Sequence, residues 1–364
     1  TLGQRVNSKM LCVLGDRQKI SSYLRSKTYL VGEKVKQKIF LGRSGNISRE
    51  EEIIVQPINA AAMRNEIEHL SAENCILSSG SFDVIYADSE ENPQTVQDIG
   101  RLRELSFREV GEGTGKKSDL DLFDTYYKHL FIWDKEKDCI AGGYRLGHAD
   151  HILDKYGPKG LYINSLFKLD KELQQDLRYA LEVGRSFVTP QYQKQYSSLS
   201  LLWKGITNYV GRHPEYRILF GPVSISNDYQ PISQERLVRY LSRTNVEKRR
   251  ASQVTPRQPY KAKKNLTENL VDLDATDLNI IADLLNTVEQ DDKGIPVILR
   301  QYLKLQGQIL GFNIDPDFNN SVDCLLWVDL MRTEAPMLKR YMGEETDNFR
   351  AYHEARKDLI SKAS

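Results

Sequence analysis

Leu181-Glu-Val-Gly-Arg-Ser-Phe-Val-Thr-Pro190 is an apolar run broken by one acid, one glycine and one base. Its branched and aromatic residues, stopped by a proline, read as a β-strand, and Gly184 permits a bulge within it. On an extended strand Glu182 and Gly184 point to one face, Val183 and Arg185 to the other. A carboxylate and a guanidinium in a buried strand are costly unless paired or used. The stretch is therefore either an ion pair stapling a sheet or part of a site. Working outward, His129-Leu-Phe-Ile-Trp-Asp134 and Cys139-Ile-Ala-Gly-Gly-Tyr-Arg-Leu146 flank a charged turn and read as a β-hairpin. Residues 199–212 form an amphipathic helix, and Tyr216-Arg-Ile-Leu-Phe-Gly-Pro-Val-Ser-Ile225 the next strand. Hairpin, strand, helix, strand predicts an α+β fold on a mixed sheet.

Composition excludes more than it selects. The 364 residues are 40% hydrophobic and 28% charged, an ordinary globular balance. Lys+Arg number 51 against 50 Asp+Glu, so no global basic character points to nucleic acid. No run approaches the ~18 apolar residues of a membrane helix. Cys12, Cys75, Cys139 and Cys324 form no C-x-x-C pair, so no metal site is expected and a reduced, cytoplasmic setting is. The N-terminus has neither signal core nor Met and reads as a cut within a longer polypeptide or a processed end. The charge is local: ten bases against two acids lie between Gln230 and Asn265.

Near the N-terminus, residues 8–14 read as a short strand and Asp16 as the cap of a helix beyond it. Residues 33–52 read as a linker, 58–71 as a polar helix, 76–87 as a strand preceded by a turn, and 94–109 as a helix. Gly111-Glu-Gly-Thr-Gly115 lacks the lysine and the strand–loop–helix order of a phosphate loop and reads as a mobile loop. Asp119-Leu-Asp-Leu-Phe-Asp124 before His129 reads as a polar loop capping a strand or as part of a site. Ser224-Ile-Ser-Asn-Asp-Tyr229 reads as a turn or a binding edge. His129 and Asp134 match H-x-x-x-x-D, a motif of glycerolipid O-acyltransferases, but on a strand they lie roughly 16 Å apart, so the match is chance.

In this order, His129–Asp134, Tyr144-Arg-Leu146, Leu181–Val188, Leu202-Trp-Lys-Gly-Ile206 and Phe220-Gly-Pro-Val-Ser-Ile-Ser-Asn-Asp-Tyr229 resemble the hemolysin-like, GNAT-related N-acyltransferases. Those include ornithine- and glycine-lipid N-acyltransferases, and the Glu-x-x-Arg strand with its upstream acidic loop is also similar to acyl-homoserine-lactone synthases. The resemblance covers about residues 75–345. It implies a GNAT-like, mostly antiparallel sheet flanked by helices, with a helical C-terminal extension. It also implies bacterial aminolipid synthesis: transfer of a (3-hydroxy)acyl chain from acyl carrier protein to the α-amine of an amino acid. Under it Glu182 accepts a proton or orients the amine. Arg185 fixes the strand or binds the amino acid's carboxylate. Asp121, Asp124 and His129 lie near the acceptor amine, and Arg145 matches the Tyr-Arg-Leu of the family. The bulge at Gly184 and Ser186, with Ser226 and Asn227, binds substrate.

Two departures narrow the reading. The pyrophosphate-cradling [RQ]-x-x-G-x-[GA] loop of CoA-dependent GNAT enzymes is missing after Val188, which favours the acyl-phosphopantetheine of acyl carrier protein over acyl-CoA. Leu166-Phe-Lys168 replaces the Glu-Phe pair usual in the ornithine branch, which leaves glycine or another amino acid open. The basic segment, with Arg243, Lys248, Arg249 and Arg250, then reads as a dock for an acidic carrier protein, as a peripheral contact with anionic lipid at the inner membrane face, or as a solvated loop.

The expected organisation is a tail of an O-acyltransferase domain over residues 1–45 and a linker and helix over 46–74. The N-acyltransferase core follows over 75–230, a basic helix and loop over 231–270, a subdomain completing the core over 271–347, and a charged tail over 348–364. Two alternatives remain: a non-catalytic carrier-protein-binding module supporting that O-acyltransferase, and a pore-forming hemolysin, which no membrane-active segment supports.

Overall fold

The computed structural model describes residue 6 and residues 8–41, 51–193, 196–262, 278–289 and 293–363. Helices α1 (Ser8–Leu14), α2 (Arg17–Leu41) and α3 (Ala60–Glu68) precede strands β1 (Cys75–Ser79) and β2 (Phe82–Ala87) and helix α4 (Pro93–Glu109). Then come β3 (Lys128–Asp134), β4 (Cys139–His148), α5 (Ala149–Tyr156), β5 (Phe167–Leu169), α6 (Lys171–Asp176), β6 (Ala180–Val188), α7 (Tyr196–Arg212) and β7 (Ile218–Ile225). The chain continues through α8 (Pro231–Thr244), α9 (Lys248–Ala251), β8 (Val254–Pro256), α10 (Leu278–Val288), α11 (Val297–Lys304), β9 (Gln308–Asp315), β10 (Ser321–Asp329), α12 (Ala335–Met342) and α13 (Glu345–Ala363).

Eight strands form one sheet in the order β1-β2-β3-β4-β6-β7-β10-β9, and β5 pairs with β8 apart from it. Within the large sheet every neighbour is antiparallel except β6 and β7, which run parallel. Alternation sorts the side chains onto two faces. Leu130, Ile132, Tyr144, Leu146, Val183 and Val223 share one core with Trp203, Ile206 and Val210 of α7. On the other face Phe220, Leu325 and Trp327 pack with Tyr127, Ile163 and Phe167, while Phe131, Trp133 and Phe187 pack with Ile99 and Leu102 of α4. Each such side chain, buried, contributes about 1.5–3 kcal/mol.

The parallel pairing of β6 and β7 ends at Glu182 opposite Phe220, although both strands run on. They part there, and the gap is the opening on which the site is built. Gly221 marks the parting: its φ is +155°, and a Cβ there would overlap the Val183 carbonyl oxygen.

Three sequence expectations change. Residues 8–14 are helical, not a strand, because Met10, Leu11 and Leu14 recur at helical spacing and pack on the core, while Val13 is exposed. Residues 75–87 form a hairpin rather than one strand, turning at Gly80 with φ +61°. Asp16 caps α2 as expected, accepting from Gln18 N–H at 2.5 Å. That helix reaches Leu41, past the expected start of the linker, and 42–50 fall outside the described residues. It lies on α10, where Tyr23 and Lys27 both donate to Asp283, at 2.5 and 2.7 Å.

Candidate active site

The site grows from a bulge in β6. Arg145 of β4 faces Gly184, and Gly143 faces Phe187, so Arg185 and Ser186 together oppose Tyr144. Arg185 carries the bulge with φ +51°, a conformation costly for a residue with a Cβ and worth about 1–3 kcal/mol of strain. The consequence is directional. Strict alternation puts Arg185 opposite Glu182, whereas the bulge turns it toward the ion-pair network that also holds Arg145.

Three arginines and three aspartates interlock there. Asp121-Leu-Phe-Asp124 is a capping box: Asp121 accepts from Phe123 N–H, and Asp124 accepts from Asp121 N–H at 2.8 Å. Both carboxylates are thereby fixed. Asp124 takes a two-pronged contact from Arg103, 2.9 Å on each oxygen, and lies 3.2 Å from Arg145. Arg145 donates to Asp121 at 2.6 Å. Arg185 reaches Asp121 at 3.2 Å, Asp119 at 3.1 Å and the Tyr162 hydroxyl at 3.2 Å. The Arg103 and Arg145 charges hold the Asp124 carboxyl far below the usual carboxylate range, against the opposing effect of burial. Aromatic faces complete the cage, with Arg145 over Phe123, Tyr127 and Tyr162, and Arg185 over Tyr162 and Phe318.

His129 sits behind this network. It is buried, its Nε2 is 3.3 Å from the Asp124 carbonyl, and burial lowers its pKa to about 4, so the ring is neutral and donates that bond. It and Asp134 lie at opposite ends of β3, so these two do not pair; the carboxylate near His129 is that of Asp124, 3.7 Å away.

Glu182 occupies its own pocket. Tyr127 O–H donates to it at 2.5 Å and Ile163 N–H at 2.6 Å. The Tyr127 oxygen in turn accepts from Tyr162 N–H at 3.0 Å. Gly147 pairs with Glu182 across the strands, and a Cβ there would strike the Tyr127 ring, so the glycine makes room for this contact. Burial pushes the Glu182 carboxyl up to about 7, outweighing its hydrogen bonds and Arg145.

Between the parted strands lies a cavity of about 500 Å³. Val183 to Val188 form one wall and Pro222, Val223, Ser224 and Ser226 the other. It passes from Tyr144, Leu199 and Tyr302 on the α7 face to Phe107, Tyr162 and Phe318 on the opposite face, with Val110, Val297 and Ile298 also lining it. Its walls are mainly apolar, suited to a chain, and the charged groups among those that line it are Glu109, Glu112, Arg185, Lys293, Asp315 and Asp323. Gly184 lines it, and a Cβ there would meet open space.

The structure thus brings Gly184, Arg185, Ser186 and Ser226 to the cavity, and joins Asp121, Asp124, Arg145 and His129 in the network behind Arg185. Glu182 adjoins that network but does not line the cavity, and Asn227 is exposed beyond the end of β7. Arg249 pairs with Glu172 and Asp176, Arg250 with Asp176 and Glu247, while Arg243 and Lys248 are exposed. Lys263 and Lys264 lie outside the described residues. The glycine-rich loop is held, not free: Glu104 accepts from Thr114 N–H and O–H and from Gly115 N–H.

Sequence reading missed Tyr127, Tyr162, Glu112, Asp315 and Asp323. Asp323 carried a usable signal, a lone acid in the strand Val322-Asp-Cys-Leu-Leu-Trp-Val328, the same anomaly that singled out Glu182. Among the described residues no group of His, Cys, Asp and Glu is placed to hold a metal ion, and no helix is long and apolar enough to cross a membrane.

Residues 102–204 match the GNAT acetyltransferase domain family, so the chain carries a GNAT acetyltransferase domain and is an acyltransferase. A glycine Nα-acyltransferase of Phocaeicola vulgatus is 29% identical over 70% of this chain and 81% of its own length. One of Bacteroides thetaiotaomicron is 31% identical over 57% of this chain and 64% of its own. An L-ornithine Nα-acyltransferase of Agrobacterium fabrum is 25% identical over 45% of this chain and 55% of its own.

Proposed function

We propose that this GNAT-domain acyltransferase moves a (3-hydroxy)acyl chain from acyl carrier protein to the α-amine of a small amino acid, glycine first, for aminolipid synthesis. The observation that carries the reading is the cavity between the parted β6 and β7: its walls are mainly apolar, and Arg185 and the β6 bulge line it. The thioester arm lies along β6, with its carbonyl at the Gly184–Ser186 bulge, where backbone N–H groups freed from the ladder meet the developing oxyanion. The two glycine-acylating relatives support glycine over ornithine. Glu182 and its tyrosine partner hold the strand end from which Arg185 projects.

The donor assignment rests on the segment after β6. Thr189-Pro-Gln-Tyr192 makes a short turn, and Tyr192 O–H is tied to Asp134 at 2.6 Å. That segment offers no glycine-lined amide cradle for a nucleotide pyrophosphate. A carrier protein presents the same thioester without the nucleotide, and Arg243, Lys248 and Arg249 give it an exposed basic face, although Glu172 and Asp176 offset part of that charge. The same face could rest on anionic lipid at the inner membrane surface.

The test is mass spectrometry of products from the chain, 3-hydroxyacyl carrier protein and a mixture of amino acids, with acyl-CoA as parallel donor. N-acylglycine from the carrier-protein donor is the expected product. Lys248→Glu with Arg243→Glu should lower kcat/KM for the carrier-protein donor and spare acyl-pantetheine. Turnover from acyl-CoA alone overturns the donor assignment, and no N-acylated amino acid from either donor overturns the reaction.

A further inference from the structure

One end of the cavity is acidic, and placing the thioester along β6 leaves it unused. Three carboxyls line it together: Glu112 from the loop after α4, Asp315 from the end of β9 and Asp323 from within β10. Asp315 and Asp323 are buried, and Glu112 is half-buried. Register puts Asp323 opposite Ser224, itself a cavity residue, and Asp315 one step along the same face of the sheet. The three do not form a metal-holding cluster among the described residues. They frame a space instead of closing on an ion.

A second observation points to a ligand in the same cavity. Tyr144 is 3% exposed and lines the cavity across the sheet from the acids. Its hydroxyl and that of neighbouring Ser186 are buried; the Tyr144 hydroxyl lies close to those of Ser186 and Tyr302, but neither it nor Ser186 closes a hydrogen bond of good geometry. Buried hydroxyls are nearly always satisfied, so two of them turned on one cavity mark a place where a polar group of a substrate completes the set. Burial keeps the Tyr144 hydroxyl protonated, at about 12, and so a donor suited to a thioester oxygen.

We infer that Asp323, with Asp315 and Glu112, takes the acceptor's ammonium group and removes its proton, a role for which Glu182 is not placed. This rests on the proposed acylation of an amino acid's amine. The ammonium donates to the carboxylates and passes one proton to them, leaving a neutral amine. Its nitrogen attacks the thioester carbon, the C–N bond forms and the C–S bond breaks. The second nitrogen proton goes to the leaving sulfur, giving amide and thiol, while the proton taken by the carboxylates passes to water. The groups facing the acids fit the task. Asp228 adds a like charge beside Glu112, and the Arg185 charge opposes the rise at Asp315 and Asp323. Burial and the Asp228 charge push Glu112 up to about 7, and burial with the Asp315 and Glu112 charges pushes Asp323 well above its usual range, a state that a bound ammonium reverses.

The test uses the full chain with acyl carrier thioester, varying glycine, in wild type, Asp323→Asn and Glu112→Gln. Calorimetric titration of glycine into each protein without donor runs in parallel. Asp323→Asn and Glu112→Gln are expected to raise the acceptor KM and weaken glycine binding by about tenfold or more, with the donor KM unchanged. Glu112 sits on a loop, so its variant keeps the test open if Asp323→Asn fails to fold. An active wild type whose Glu112→Gln and Asp323→Asn forms keep acceptor KM and glycine affinity overturns this inference alone. A wild type that acylates no amine overturns the proposed reaction and this inference with it.

Discussion

Asp124→Asn probes the network that aims Arg185 and Arg145. Asp124 is 2% exposed, meets both prongs of Arg103 at 2.9 Å, and lies 3.2 Å from Arg145. Asparagine keeps the shape but replaces one acceptor oxygen with an NH2 group that faces guanidinium donors. It also leaves two buried cations with one fewer counter-charge. Removing one partner of a buried pair costs about 3–5 kcal/mol, most of it the uncompensated charge left behind. Urea unfolding at neutral pH should show a loss in that range. The sign with pH is fixed as well. The folded carboxyl titrates far below its unfolded value of about 3.9, so its contribution is complete above that pH and fades as pH falls below it. The gap between wild type and variant should therefore narrow in acid. A loss under about 1 kcal/mol at neutral pH, or a gap that widens in acid, refutes the reasoning.

Three further outcomes rest on the same geometry. Glu182, folded at about 7 against about 4.3 unfolded, contributes most below the lower value and loses that contribution as pH rises through the upper one. Wild type should thus lose about 3 kcal/mol relative to Glu182→Gln between about pH 4 and pH 8, and a pH-independent difference would contradict this. Gly221→Ala forces a Cβ onto the Val183 carbonyl oxygen and should cost about 2–3 kcal/mol in thermal or urea unfolding, against only about 1 kcal/mol for Gly343→Ala, where a Cβ meets open space and the φ of +64° alone is costly. Val223→Trp fills the space between the parted strands, so turnover should fall more with a long-chain donor than with a short-chain one in matched steady-state assays.

Much of the fold was legible because its carriers are local. The β3–β4 hairpin, β6, α7 and β7 follow from apolar period and turn residues in the sequence. Glu182 and Arg185 stood out because charge in an apolar strand has few bland explanations. The side of the sheet that Arg185 serves was not legible, since it depends on a non-glycine residue adopting φ +51°, against the local preference that put the bulge at Gly184. Residues 8–14 misled because Lys-Met-Leu-Cys-Val-Leu is short and apolar enough for either element, and only packing chooses. The acid end of the cavity was invisible for a different reason. Glu112 comes from a loop and Asp315 and Asp323 from the β9–β10 hairpin much later in the chain, which joins the sheet beside β7 through the β10–β7 pairing, far apart in sequence.

If acyl transfer takes place between the parted strands β6 and β7, the donor must lie there. A crystal structure with a stable thioether analogue of acyl-pantetheine tests this. The arm is expected along residues 183–188, the carbonyl position beside Gly184 and Ser186, and the chain against Val223. An analogue bound outside this cavity, with the space between the strands unchanged, would contradict it.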